Sequence, residues 1–446
     1  MLVVLSDLHL TDGTTSSNVD SSAFKTILLP EIVSNARLKN AKEVRIVLLG
    51  DIYDLLRTDV WVSKVEWNNR PWNGTLDPET GMNQYAGIEG HYLEILNNIF
   101  NTTSARGLAD SISTIKQEIG YSISVKVIYI IGNHDRALNV FDSLRQAIKK
   151  EYYNVDSFEF MNSLAIQEYN VFFRHGHEFD EDCYGYSFLT KVLQKGLNID
   201  KFDAKCYKVQ TIGEVITAEL MGGFIAGVKK NFQDTKMVKQ LMEINNIRPL
   251  SNALYWIDWF VGKTDASDAN KNLIFNLFKS ALDGVLESDF AKRWDDIKTD
   301  LIISGDLVDR LQLISKTIKN DNFNDLKFKL NLISKLDIFS SSKDDLVEGA
   351  KDYFLKPSSP DTQFVLYGHT HIPRTDYFSG SVNGNVKMYI NTGTYLPFII
   401  KTADDSFVST YQMTMAFLYR EDEDINGKAN SVSIDLWNGL KRKNYN

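Results

Sequence analysis

Five times along this chain an apolar run of strand length stops at a glycine or short turn and is followed at once by Asp, His or Asn. Leu2-Val3-Val4-Leu5 leads to Asp7 and His9, and residues 44–49 lead to Gly50-Asp51-Ile52-Tyr53-Asp54. Residues 125–131 lead to Gly132-Asn133-His134-Asp135, residues 170–174 to His175-Gly176-His177, and residues 363–367 to Gly368-His369-Thr370-His371. Short, almost wholly apolar runs suit strands buried on both faces, which occur where helices or a second sheet cover them. The ends of such strands are where open α/β sheets bind ligands. A helical pattern over 24–39 lies between the first two runs, so the chain starts as a right-handed βαβ unit.

The remaining stretches fill out an α/β plan. Residues 55–122 form a long connection carrying Trp61, Trp67 and Trp72, with a helical stretch around 91–100; a further helix is expected over 140–151. From 181 to 360 the pattern turns helical, with examples at 188–197, 212–231, 252–261, 270–286 and 325–338. Pro357-Ser358-Ser359-Pro360 marks the return to the sheet. In the tail, 386–390 reads as a strand, and the alternating runs at 407–419 and 431–436 as antiparallel strands closing a second sheet. The expected organisation is a core of residues 1–180 and 361–446 with a helical insertion, or cap, over 181–360.

Composition narrows the function classes. With 446 residues, 43% of them apolar, the chain can bury a large core, and a net charge of −9 argues against a broadly basic nucleic-acid surface. The two cysteines, Cys183 and Cys206, lack zinc-site spacing and suit small apolar fillers in a reducing, cytoplasmic setting. Met1 runs directly into a strand, which argues against a signal peptide. The apolar stretch 212–228 carries Glu214 and Glu219 and falls short of a membrane span.

Six of the seven histidines (His9, His134, His175, His177, His369 and His371) fall in the loops after strands, beside Asp or Asn; His91 alone lies elsewhere. Imidazoles, carboxylates and one amide oxygen, with no thiolate, suit a pair of divalent metals, with manganese preferred and iron, zinc or magnesium as alternatives. Two such cations need a shared ligand, and a carboxylate is the natural bridge. Such a centre activates water for in-line attack on phosphorus.

The ordered blocks Asp7-x-His9, Gly50-Asp51-x-x-Asp54, Gly132-Asn133-His134-Asp135, His175-Gly176 and Gly368-His369-x-His371 resemble the calcineurin-like metallophosphoesterases. The resemblance implies a four-layer α/β/β/α sandwich of two mixed sheets. It also implies that Asp7, His9, Asp51 and His371 bind one metal while Asp51, Asn133, His175 and His369 bind the other. His134 would contact the phosphate or protonate the leaving oxygen, with Asp54 orienting it. His177 competes with His175 as ligand, and His175 is preferred because it stands first after the strand and precedes the glycine.

Departures from the family pattern narrow the substrate. The protein serine/threonine phosphatases carry Arg-Gly after the second Asp and Glu after Asn-His, where this chain has Leu55-Leu56 and Asp135. The break-repair nucleases place their extra domain after the last block, whereas the insertion here precedes it, as in the helical caps of UDP-diacylglucosamine pyrophosphohydrolases. The expected activity is hydrolysis of a phosphodiester or pyrophosphate bond. A DNA or RNA nuclease and a non-catalytic scaffold of the same fold are the alternatives. Arg136 and Arg174 are open between phosphate contact and ion pairing. Trp256 and Trp259 are assigned to the core of the insertion, with a substrate groove as the minor alternative. A second Gly-Asp-x-x-Asp, residues 305–309, opens a helical run, so Asp306 is expected to cap a helix.

Overall fold

A computed structural model describes residues 1–248, 252–263, 267–297, 307–318, 343–356, 361–378, 386–423 and 432–444. The chain is a mixed α/β protein built on two mixed sheets. The first holds β1 (Leu2–Leu5), β2 (Glu43–Leu49), β3 (Ser124–Ile130) and β4 (Ser157–Met161) in parallel. The second is built from β5 (Ser163–Ile166), β6 (Val171–Arg174), β7 (Phe364–Tyr367), β8 (Arg374–Phe378) and β9 (Lys387–Asn391) in the order β5-β6-β7-β9-β8. β10 (Phe398–Lys401), β11 (Phe407–Tyr419) and β12 (Ser433–Asn444) complete the first sheet, with β11 antiparallel to β1.

The apolar runs identified in the sequence explain the layering. Leu2, Val4, Val47, Leu49, Ile128 and Ile130 point inward from the first sheet and meet Val171, Phe173, Phe364, Leu366 and Ile390 of the second. The opposite face of the first sheet, with Val3, Leu5, Ile46, Leu48 and Val127, packs under helices. The outer face of the second sheet presents Phe172, Val365, Tyr367 and Tyr389 to Leu346, Ala350 and Phe354 of helix Lys343–Phe354. Because both faces of each central strand are covered, period-two alternation is absent there. All the site-bearing strands end on one edge of this sandwich.

Three expectations change. The runs at 407–419 and 431–436 are antiparallel strands, but they extend the first sheet: β11 pairs Leu418 with Leu2 and Ala416 with Val4. Alternation specifies which face of a strand is buried; it is silent on which edge the strand joins, and the free edge of β1 needed a partner. A 17-residue helix, Thr103–Ile119, occupies the long connection. Its buried face is built largely from Ser104, Ala105, Gly107, Ala109, Ser111 and Ser113, small residues that hide an apolar stripe from a hydrophobicity pattern. Strand β4 was also unanticipated. Asp306, the helix expected over 325–338 and the break at 357–360 lie outside the described residues.

The helical segment shares its apolar core with the helices of the first sheet. Phe224, Ile225, Trp256, Phe278 and Trp294 lie in one continuous cluster with Trp61, Trp72 and Tyr92. Trp256 is thus core, while half-buried Trp259 packs on Phe407 of β11 with ring centroids 5.3 Å apart. The run Cys206–Asn231 is long and apolar enough to cross a membrane by length and composition, yet 72% of its most apolar window is buried inside the fold. Two buried ion pairs fasten the segment to the core. Arg136, next to the Gly132 block, donates from Nε to Glu214 Oε1 at 2.5 Å and from Nη2 to Oε2 at 2.9 Å. Arg70 Nη1 and Trp72 Nε1 both donate to Glu219 Oε1, at 2.5 and 2.7 Å. Arg136 is therefore a structural partner of the insertion. Glu214→Ala strands the Arg136 guanidinium in the interior and should lower unfolding free energy by about 3–5 kcal/mol in urea titration, with Glu214→Gln costing less.

Candidate metal centre

The loops after β1 and β2 are zipped together by their backbones. Asp7 N donates to Gly50 O at 3.0 Å, His9 N to Asp51 O at 2.9 Å, and Asp54 N to Leu10 O at 2.9 Å. This pairing turns the carboxylates of Asp7, Asp51 and Asp54 and the imidazole of His9 into one buried volume. It also forces left-handed backbone on Asp7, His9 and Asp51, with φ of 50°, 42° and 53°. Across the second sheet His369 and His371 are left-handed as well, at 70° and 61°.

The motif glycines make room for these side chains. A Cβ on Gly50 would lie 2.2 Å from Nδ1 of His175, one on Gly132 would lie 2.2 Å from Oδ1 of Asp51, and one on Gly368 would lie 2.3 Å from Oδ2 of Asp7. Gly50 is fixed twice over, since its φ of +86° also disfavours any side chain. Asp135 braces the arrangement: it accepts from Gly132 N at 2.6 Å, from Tyr129 Oη at 2.5 Å and from Ile52 N at 3.1 Å. On the far side, Thr394 Oγ1 donates to Asp7 O at 2.6 Å and Asn391 Nδ2 to Gly368 O at 2.6 Å.

The structure brings together Asp7, His9, Asp51, Asp54, Asn133, His134, His175, His369 and His371. Asp7, His9 and His371 form one group and Asp51, His175 and His369 another, with the candidate ligand atoms of each within 4.8 Å of one another. Asn133 Oδ1 lies 3.1 Å from His369 Nδ1. Asp51 Oδ2 sits between the groups, 3.2 Å from His175 Nε2 and 3.7 Å from His9 Nε2, while its Oδ1 accepts from His134 N at 2.8 Å. Asp54 Oδ2 accepts from His9 Nδ1 at 2.8 Å and lies 2.9 Å from His134 Nδ1.

Tautomers follow from these partners. His175 Nδ1 faces the carbonyl of Leu49 at 2.9 Å and must donate to it, so Nε2 of the neutral ring presents its lone pair to Asp51. That Nε2 is buried and has no hydrogen-bond partner. His9 donates from Nδ1 to Asp54, so its Nε2 carries the lone pair, with His371 Nε2 at 2.9 Å and carboxylate oxygens of Asp51 and Asp7 at 3.7 and 3.9 Å. Lone pairs facing carboxylate oxygens repel unless a cation stands between them, which a proton or a metal ion can supply. These buried groups can hold a metal ion. His371 fits under a condition: Arg248 Nη2 donates to its Nδ1 at 2.9 Å, which places the ring proton on Nε2, facing His9 Nε2 at 2.9 Å. For Nε2 to become a ligand, Arg248 must release Nδ1.

Electrostatics describe the same competition. Burial opposes ionisation of Asp51, but His175 and His134 beside it outweigh burial and hold its carboxyl well below the usual range. Burial alone would lower His175, yet Asp51 pushes it up to about 10. His134 is likewise raised against burial by Asp54 and Asp51. His9 falls to about 3, through burial first and then Arg57. Without metal, protons on His175 and His134 stand in for cations.

His177 is buried against Tyr184 and Tyr207, with its ring 5.4 Å from that of His175, and burial lowers it to about 4. It is His175 that meets Asp51. Arg174 is buried, 3.5 Å from Glu178 and stacked 3.6 Å over Phe202. Three residues here escaped sequence reading. Asp180 Oδ2 lies 3.2 Å from His369 Nε2 and orients that ring, and Asp180, Cys183 and His369 form a further cluster of possible ligand atoms. Arg57 and Arg248 flank His9 and His371. Asp180 follows His175 within the same loop, where a signal existed; Arg248 lies far from every block. Compared with family models and with curated proteins, the chain matches none.

Gly132 has an ordinary negative φ, so Gly132→Ala tests steric room alone. It should cost about 1–3 kcal/mol in equilibrium unfolding, as overpacking does. Gly90→Ala, where a Cβ meets open space on helix Ile88–Phe100, should be neutral or stabilising by up to about 1 kcal/mol.

Proposed function

We propose that this cluster is a dinuclear metal centre, and that the chain is a hydrolase of the calcineurin-like metallophosphoesterase superfamily that cleaves a phosphodiester or pyrophosphate bond. What carries the proposal is the convergence of five sequence-distant loops on one buried volume in which unpartnered imidazole nitrogen faces carboxylate oxygen. Asp7, His9, Asp51 and His371 would hold one cation and Asp51, Asn133, His175 and His369 the other, with manganese the leading candidate for this thiolate-free donor set. Divalent cations bound there supply Lewis acidity to a phosphoryl oxygen and lower the pKa of water.

The chain's own residues supply orientation and the proton. Asp54 is held well below the usual carboxylate range; burial opposes this, but His134 and Arg57 outweigh it. It therefore stays anionic, anchors His9 through Nδ1 and, with Asp51, favours the protonated form of His134 against burial. His134 is only half-buried, so its imidazolium can reach a bound ester and give its proton to the departing oxygen. Asp180 steadies His369, and the Leu49 carbonyl steadies His175. The helical insertion would set which leaving group is accepted.

Purified chain should carry about two transition-metal ions by atomic emission, as two-metal phosphoesterases do. Asp51→Asn should lose both, and retention of both would remove the bridging role. The manganese-loaded enzyme should hydrolyse members of a panel of nitrophenyl diesters and nucleotide pyrophosphates. His134→Asn should lower kcat by about 10²–10⁴-fold with metal content unchanged. The sign of the pH dependence follows from the raised His134: its proton is present below its folded pKa and lost above it. The wild-type rate should therefore fall on the alkaline side, and the His134→Asn profile should lack that limb. Because protons occupy His175 without metal, metal affinity should rise with pH and binding should release protons, measurable by titration calorimetry in buffers of differing ionisation enthalpy.

A further inference from the structure

Two guanidiniums reach the centre from opposite directions. Arg57 follows Asp54 by three residues and is 4% exposed, with Nε 3.2 Å from Asp54 Oδ2. Neither its Nε nor its Nη1 has a hydrogen-bond partner. Buried guanidiniums ordinarily spend their donors on acceptors; Nε already faces the Asp54 carboxylate as an ion pair, which leaves Nη1 as a buried donor with no acceptor.

Arg248 arrives from the helical segment. Its backbone is pinned where Ile247 bridges to Ile399 and Arg248 N donates to Ile399 O at 2.8 Å. Nη1 is anchored on the carbonyls of Asn245 and Ile247, at 3.1 and 2.8 Å, which aims Nη2 at His371. Its ion-pairing capacity is unspent: among the described residues no carboxylate lies within ion-pair distance of this guanidinium. If His371 turns its Nε2 to a cation, Nδ1 becomes a donor and Nη2 of Arg248 is set free. The two guanidiniums are linked through the site itself: Arg57 faces Asp54, Asp54 holds His9, His9 Nε2 lies 2.9 Å from His371 Nε2, and His371 accepts from Arg248.

We propose that Arg57 and Arg248 form a paired-guanidinium seat for the anionic oxygens of the substrate on the His9–His371 side of the centre. The seat favours groups that place two negative charges near the reacting phosphorus, a phosphoanhydride or a terminal phosphate, over the single charge of an internal diester. A single charge can meet Arg248, which has no carboxylate of its own among the described residues, but leaves the Nη1 donor of Arg57 without an acceptor, whereas a dianion offers charged oxygen to both. The inference rests on the metal-centre proposal and narrows it toward pyrophosphate cleavage. It also gives the helical insertion a residue inside the reaction site.

The test uses the full chain, loaded with manganese, freed of excess metal and assayed for metal content before each titration. Inorganic phosphate and dimethyl phosphate are then titrated calorimetrically into wild type, Arg57→Met, Arg248→Met and Arg248→Lys, with thermal melts reporting folding. Wild type should bind phosphate at least about tenfold more tightly than dimethyl phosphate. Each Met variant should keep its metal and lose about tenfold or more in phosphate affinity, and Arg248→Lys, which retains charge without the fork, should fall between. Metal retained with phosphate affinity unchanged in both Met variants overturns the seat alone, as does equal binding of the two anions by wild type. A wild-type chain that takes up no metal overturns the metal centre and the seat with it. Should Arg57→Met fail to fold, the Arg248 pair decides the matter.

Discussion

The centre depends on backbone held in the left-handed region at five of its side chains. Among the described residues, nine non-glycine positions have positive φ, and four of them, Asn40, Asn154, Asn170 and Asp405, are Asn or Asp in turns, where such angles are tolerated. The other five are Asp7, His9, Asp51, His369 and His371. What is informative is their concentration: all five belong to one buried cluster and none of them sits in an ordinary surface turn. Strain of about 1–3 kcal/mol at each persists only where the surroundings over-determine it. Here those surroundings are visible: the zipped loops after β1 and β2, the Asp135 brace, and the Thr394 and Asn391 bonds that hold Asp7 and Gly368.

Strain of this kind has a chemical return. In relaxed extended backbone Asp7 and His9, two residues apart, would share a face but stand roughly 7 Å apart along it. The left-handed kink brings them together, and the same device brings His369 and His371 to opposite groups of the cluster. The cost in electrostatics is higher still, since Asp7, Asp51 and Asp54 are all buried. Burial and Asp51 lift Asp7 to about 6, while neighbouring imidazoles hold Asp51 down. A folded chain at neutral pH therefore has carboxylate charge whose compensation is external to its apolar core, supplied by protons or by bound cations.

The mixed α/β class was legible in the sequence, and so was the meeting of the five strand-end loops. Gly50, Gly132 and Gly368 could be read because a Cβ at each would strike a site side chain, so residue type alone carries the constraint. The family resemblance set Asp54 beside His134, and Asp54 Oδ2 lies 2.9 Å from His134 Nδ1. Sheet membership was not legible: alternation in β11 marks a buried face, and only tertiary pairing with β1 decides the sheet. Helix Thr103–Ile119 was hidden because a face of Ser, Ala and Gly packs closely without looking apolar, as Gly107 does against Ser21. Arg248 was invisible for a different reason: its place depends on the bridge between Ile247 and Ile399, a contact across 152 residues that no local pattern announces.

That bridge bears on how the insertion can act. A cap that closed as an independent lid would need a polar, thinly packed junction and a core of its own. The helical segment instead shares one apolar cluster with the helices of the first sheet, and Arg136–Glu214 and Arg70–Glu219 are buried within the junction. Separating the two would expose the shared apolar surface to water and break the Arg136–Glu214 and Arg70–Glu219 pairs. Large hinge motion is therefore costly, and the group that can move cheaply is the Arg248 side chain, tethered by Nη1 yet holding His371 through a single bond. On the proposed reading, selectivity would be set by where this closely packed segment aims one guanidinium.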